Sequence, residues 1–290
     1  MRDERVEGSA AALGALRIGV FALWIFHVVR APLAELAVFP ADAAIPTGIL
    51  RLLSASGWSG VLRAEVLGGF QSVLVVVLVL GLLGVRPYRP VALAAAVMLT
   101  LHESLIRSFS GYANHQEVPL LLTAYVLAIF PAGDGLSWPR RATASRRAPE
   151  YRAALMVVAG TLAIGYAAVG ARRWSHHGFE MLFAADQFVM FYGLHHSLNH
   201  GDGTMARFLV AHPQIVSLVK WGLPVVSLLE LLAPLAVASE RLRLWWLLFA
   251  VCFHALIGLM IGVFFWQTSV IFALTLVDLD RLFSKRRTRR

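Results

Sequence analysis

Apolar residues run along this chain in long continuous blocks, separated by short polar stretches and without strand-like alternation. A helix rises 1.5 Å per residue, so about 20 apolar residues cross a hydrocarbon core of about 30 Å. The pattern predicts eight spans, at 13–38, 61–84, 90–106, 115–131, 151–170, 214–236, 243–262 and 265–280. The third, fourth and last are short for a full crossing. The last two also read as one bent element, because only Trp266-Gln267-Thr268 interrupts the run from Leu244 to Val277. Spanning β-strands would alternate over about ten residues, and these blocks do not. The expected fold is an all-α polytopic integral membrane helical bundle of about eight spans.

Charge orients that bundle. Basic residues gather in alternate loops: Arg86 and Arg89; Arg140, Arg141, Arg146, Arg147 and Arg152; Arg241 and Arg243; then Arg281, Lys285, Arg286, Arg287, Arg289 and Arg290. Cytoplasmic loops carry such an excess, so both termini are expected to be cytoplasmic. Arg2 and Arg5 ahead of Ile18–Val29 resemble a signal peptide, but the apolar stretch continues past Arg30 to Phe39 and is read as a retained anchor. The organisation is then a cytoplasmic segment at 1–12, a transmembrane domain at 13–283 and a basic cytoplasmic tail at 284–290.

Composition fits this picture. Hydrophobic residues make up 58% of the chain, charged residues 15%, and the mean hydropathy is +0.69. The formal charge of +9 is explained by anchors on an anionic leaflet, so the lipid bilayer is the expected partner and nucleic acid is not. Cys252 is the one cysteine, which excludes a disulfide framework and a thiolate metal site.

The candidate chemistry is one-sided. On this orientation His27, His102, His115, His176, His177, His195, His196, His200, His212 and His254 all fall in the outer half or the outer loops. His102-Glu103-Ser104 ends the third span and Gly111-Tyr112-Ala113-Asn114-His115-Gln116-Glu117 opens the fourth, so these groups are placed to converge. They read either as a site with a base, an acid and an amide, or as a polar interface cap. His196 and His200 share one helical face at a spacing of four. Gly201-Asp202-Gly203 ends any helix there and no third ligand is fixed, so solvated loop histidines, with no metal, are the simpler reading. His254 and Glu230 lie inside spans. Ionisable groups at such depth face a cavity or a partner, and a buried structural hydrogen bond is the competing account.

The order of motifs then resembles a known family. Asn114-His115 opens an apolar helix, and Gly133-Asp134-Gly135-Leu136-Ser137-Trp138 follows on the inner side. Tyr166 to Gly170 precede Arg172-Arg173, Trp174 and Gly178; Glu230 and Pro234 come later, then Phe253-His254 and Met260. This succession, over roughly 13–283, resembles the horizontally transferred transmembrane domain family, which includes the membrane bundle of vitamin K-dependent gamma-glutamyl carboxylase and bacterial proteins. The resemblance implies a bacterial plasma-membrane protein with a quinone or hydroquinone bound on the outer side. It implies His115 and His254 as acid/base groups, Arg172 and Arg173 as catalytic anion stabilisers, and Asn114, His102 and Glu230 as ligand-binding groups. Two departures stand out. The family's base lysine falls where Arg172 and Arg173 stand, and arginine stays protonated. The acidic residue expected after Ser137 is replaced by Trp138-Pro139-Arg140.

Two functions are therefore expected to compete. One is a quinone-type ligand pocket with redox or modification chemistry. The other is a non-enzymatic membrane partner in export, maturation or immunity of a small peptide. Proton-coupled transport through Glu230 and His254 is a weaker third, since no inverted repeat is visible.

Overall fold

The computed structural model describes residues 8–52, 60–110, 117–139, 146–178, 180, 193–194, 197–198, 204–219, 221–261 and 266–277. Among them the regular structure is helical, apart from one antiparallel pair of two-residue strands, β1 (Gly8–Ser9) and β2 (Arg147–Ala148). Five helical segments are long and apolar enough to cross a membrane: Ala10–Val38, Ala64–Leu83, Tyr88–Phe109, Pro149–His176 and Arg241–Leu259. Glu117–Ile129 and Trp266–Leu276 are shorter apolar helices. The chain is thus all-helical, with the properties of an integral membrane protein. It divides into two compact units, one running through Val158 and the other covering Ala159–Val277.

In the first unit, α1 (Ala10–Arg30) begins at Ser9, whose hydroxyl accepts from the Ala12 N–H at 3.1 Å. This satisfies one of the donors a helix start leaves open. Pro32 stops the helix, because it has no N–H to continue the ladder. The apolar run to Val38 therefore finishes as a 3-10 turn, Leu33–Val38, rather than as one straight span. Gln71, on α2 (Ala64–Leu83), bonds this junction: its Nε2 donates to the carbonyls of Val28 (2.6 Å) and Ala31 (3.3 Å), and its Oε1 accepts from Leu33 N–H (2.8 Å). Gln71→Leu should remove all three bonds at once and cost about 2 kcal/mol, at roughly 0.5–1.5 per bond. Thermal unfolding in detergent reads this directly, and an unchanged midpoint would refute it.

The helix α2 ends at Gly84, whose φ of 68° is left-handed, with Val85 N–H returning to Leu80 O at 3.1 Å. A residue without a Cβ is suited to such a cap. Then come α3 (Tyr88–Ser110) and α4 (Glu117–Ile129), which pack on each other. Leu13, Leu16, Val20, Phe21 and Trp24 of α1 are buried with Leu74 and Leu78 of α2, Ala95 and Leu99 of α3, and Leu120 and Leu127 of α4.

One charge lies inside this core. Arg17 is fully buried on α1. Its guanidinium donates to the carbonyls of Ala132 (2.8 Å), Gly135 (3.0 Å) and Leu136 (2.7 Å) and sits over the Tyr88 ring. The loop after α4 is thereby tied to α1. Gly14 and Gly135 allow that approach, since a Cβ on Gly135 would run into the Ala10 carbonyl.

The helix α5 (Pro149–His177) carries the chain onward. The second unit continues with α6 (Thr204–Ala211), α7 (Pro213–Val219), α8 (Gly222–Leu231), α9 (Ala233–Ala238), α10 (Glu240–Ile261) and α11 (Trp266–Leu276). The expected span at 214–236 is thus three short helices. The reason is proline: Pro213 begins α7, Pro224 lies in the first turn of α8 and Pro234 in that of α9. Proline is tolerated in a first turn and breaks an interior. The stretch at 243–280 resolves into two helices, α10 and α11, packed together.

Large apolar side chains point outward on several helices. Val73, Val76, Leu93, Ile164, Leu244, Trp245 and Leu259 are all at least half exposed. In water such patches are a liability; against acyl chains they are the expected surface.

Candidate functional site

Each unit holds polar side chains clustered among apolar helices. In the first, α1 supplies His27 and α3 supplies His102, Glu103 and Arg107. Glu103 Oε1 is the hub, 3.2 Å from His27 Nε2 and 3.2 Å from His102 Nδ1. Arg107 Nε is 3.7 Å from Oε2, one turn along the same helix. His102 and Glu103 are buried, and Glu117 at the start of α4 is buried within electrostatic reach of both His27 and Glu103. The two imidazole rings stand edge to face, 6.0 Å apart. Trp24 packs on His27, and its indole N–H donates to Leu120 O at 3.4 Å, which ties α1 to α4 beside the cluster.

Sequence reasoning placed His102 and Glu103 near Glu117, and the structure brings them together. It left His27 as one histidine among ten. The signal was available: His27 lies at one end of the first span and His102 near the matching end of the third. Asn114 and His115 lie outside the described residues.

In the second unit His254, buried on α10, bonds on both sides of its ring. Nε2 is 2.7 Å from the Tyr166 hydroxyl of α5, and Nδ1 is 3.0 Å from Ser269 Oγ of α11. A neutral imidazole has one donor and one acceptor nitrogen. Either tautomer therefore supports a continuous chain from Tyr166 through His254 to Ser269. Tyr166 is enclosed by the rings of Trp246 (5.3 Å), Phe272 (5.4 Å) and His254 (5.8 Å). Neither Tyr166 nor Ser269 was singled out for chemistry by sequence, because each bond joins residues far apart in the chain.

Arg173 and Glu230, singled out separately, are each other's partner. Arg173 donates to Glu230 Oε2 at 2.6 Å, with the Glu230 side chain 3% exposed and that of Arg173 31%. Gly170 makes the meeting possible. A Cβ there would stand 2.6 Å from Ser227 O and 3.2 Å from Glu230 Cβ, so α5 and α8 touch backbone to backbone. Three residues further along α5, Arg173 then faces Glu230. Arg172, next door, is exposed, and among the described residues no ion pair involves it. Its carbonyl accepts from Ser175, and His176 Nδ1 lies 2.9 Å from it. His212 likewise bonds locally, to Phe208 O. The proposed helical face of His196 and His200 lies outside the described residues.

Comparison of the chain with protein-family models, with curated proteins and with solved structures returned no match in any of the three.

Proposed function

We propose that this protein is a carboxylase-like polytopic membrane bundle with both termini cytoplasmic, in a bacterial plasma membrane, that binds a quinone-type lipid-soluble ligand. The observation that carries this reading is His254. It is a buried, doubly hydrogen-bonded imidazole set among aromatic rings in a helix fit to span a bilayer. Ionisable groups held at such depth mark ligand or proton sites.

The residues suit the polar head of such a ligand. His254 exchanges one of its two bonds, to Tyr166 or to Ser269, for a bond to a ligand oxygen. Trp246 and Phe272 exclude water from the ring side, which strengthens that bond. His254 holds or takes the proton at its freed nitrogen, as an imidazole can. A bound quinol would supply two-electron redox chemistry.

Mass spectrometry of an organic-solvent extract of the purified protein tests this reading. The expected result is a quinone retained by wild type and reduced at least tenfold in His254→Ala and Tyr166→Phe. Wild-type protein that is empty across gentle detergents would sink it. A second reading, a non-enzymatic membrane partner for a small peptide, is favoured by one observation: the arginine at the family's base-lysine position is bound to Glu230. Its mark would be a stable peptide complex with no quinone.

A further inference from the structure

The geometry points to a divalent transition-metal site in the first unit, formed by His27, His102 and Glu103 and independent of the quinone reading. The three ligand atoms these residues offer lie within 4.8 Å of one another. Two of the edges, from Glu103 Oε1 to each imidazole nitrogen, are 3.2 Å. With metal–ligand bonds of about 2.1 Å, an edge of 3.2 Å subtends about 100° at the metal, between the tetrahedral and octahedral angles. The third edge, between the two imidazole nitrogens, is within 4.8 Å, and the rings turn toward the ion to bring it to a similar length.

The donor set selects the ion. Two imidazoles and one carboxylate suit Zn2+ or Fe2+ rather than the all-oxygen shells of Ca2+ and Mg2+. Three protein ligands leave a position open for an oxygen ligand, as in reactive rather than structural zinc sites.

Charge agrees. Two carboxyl groups, Glu103 and the neighbouring Glu117, stand against one guanidinium, Arg107. A divalent cation supplies positive charge where carboxyl groups outnumber it. His102 is fully buried, and its Nε2 has no hydrogen-bond partner among the described residues. On coordination through Nδ1, His102 keeps its proton on Nε2. His27 coordinates through Nε2 and keeps its proton on Nδ1. Each ring stays neutral, and no proton remains between the rings and Glu103. Both imidazoles stand on long helices of the unit, which holds their spacing better than loops would.

The test uses the whole protein in detergent, exposed to zinc chloride, desalted and analysed for metal by mass spectrometry. About one zinc per chain is expected for wild type and for the exposed-histidine control His212→Ala. Retention at least tenfold lower is expected in Glu103→Gln and in His27→Gln/His102→Gln. Wild type that holds no more zinc than the double variant overturns the proposal. X-ray absorption of zinc-loaded wild type covers the case in which the variants fail to fold. A shell containing two imidazoles supports the site, and a shell with one imidazole or none overturns it.

Discussion

Replacing Arg17 by methionine is expected to cost about 3–5 kcal/mol, the range for breaking one side of a buried charged network. Methionine keeps much of the side-chain volume but donates nothing. The carbonyls of Ala132, Gly135 and Leu136 would each lose a charge-assisted bond, the first two at buried positions and the third at a partly buried one. Unsatisfied buried acceptors cost about 1–3 kcal/mol apiece, partly offset because the buried charge is gone too. Arg17→Lys should fall between, since a single ammonium cannot match a planar fork spread over three acceptors. Chemical or thermal unfolding in detergent measures the series. A methionine variant within about 0.5 kcal/mol of wild type, the ordinary range for surface changes, would show that the loop is held by other means.

The second large effect concerns Arg173 and Glu230. Arg173→Ala leaves a carboxylate that is almost wholly enclosed without its partner, and a loss of about 3 kcal/mol follows. The double variant Arg173→Met/Glu230→Leu should recover most of that, because removing both charges also removes the cost of burying them. A double-mutant cycle in unfolding free energy separates the pair term from the rest. Additive single variants would mean that the two side chains do not depend on each other, and that Arg173 is free to meet an anionic ligand.

Much of the helical architecture was legible because hydropathy is summed locally. The block at 61–84 became Ala64–Leu83, and that at 151–170 lies within Pro149–His177. The span at 214–236 misled for an equally local reason. Proline costs little on a hydropathy scale, yet its missing N–H ends a helix. The positions of Pro213, Pro224 and Pro234 contained the breaks. Side-chain partners were less legible. Arg173 and Glu230 are 57 residues apart and Tyr166 and His254 are 88 apart, so only packing could pair them. Arg17 drew no notice, since a lone arginine near the start of a span reads as an interfacial anchor. Its role depends on a glycine-containing loop more than a hundred residues away.

The broken segment also bears on how the protein is made. Backbone carbonyls exposed by helix breaks cannot be left unbonded in hydrocarbon. Here the carbonyl of Leu229 accepts from the Trp246 indole N–H at 3.2 Å, and that of Val237 from Arg243 Nε at 2.8 Å. Both donors belong to α10, which leaves the ribosome after the segment it completes. The stretch from Pro213 to Ala238 therefore has two carbonyls that only α10 completes, and it is the less suited to hydrocarbon until α10 is made. A chain that ended just before Glu240 would lack both of these donors.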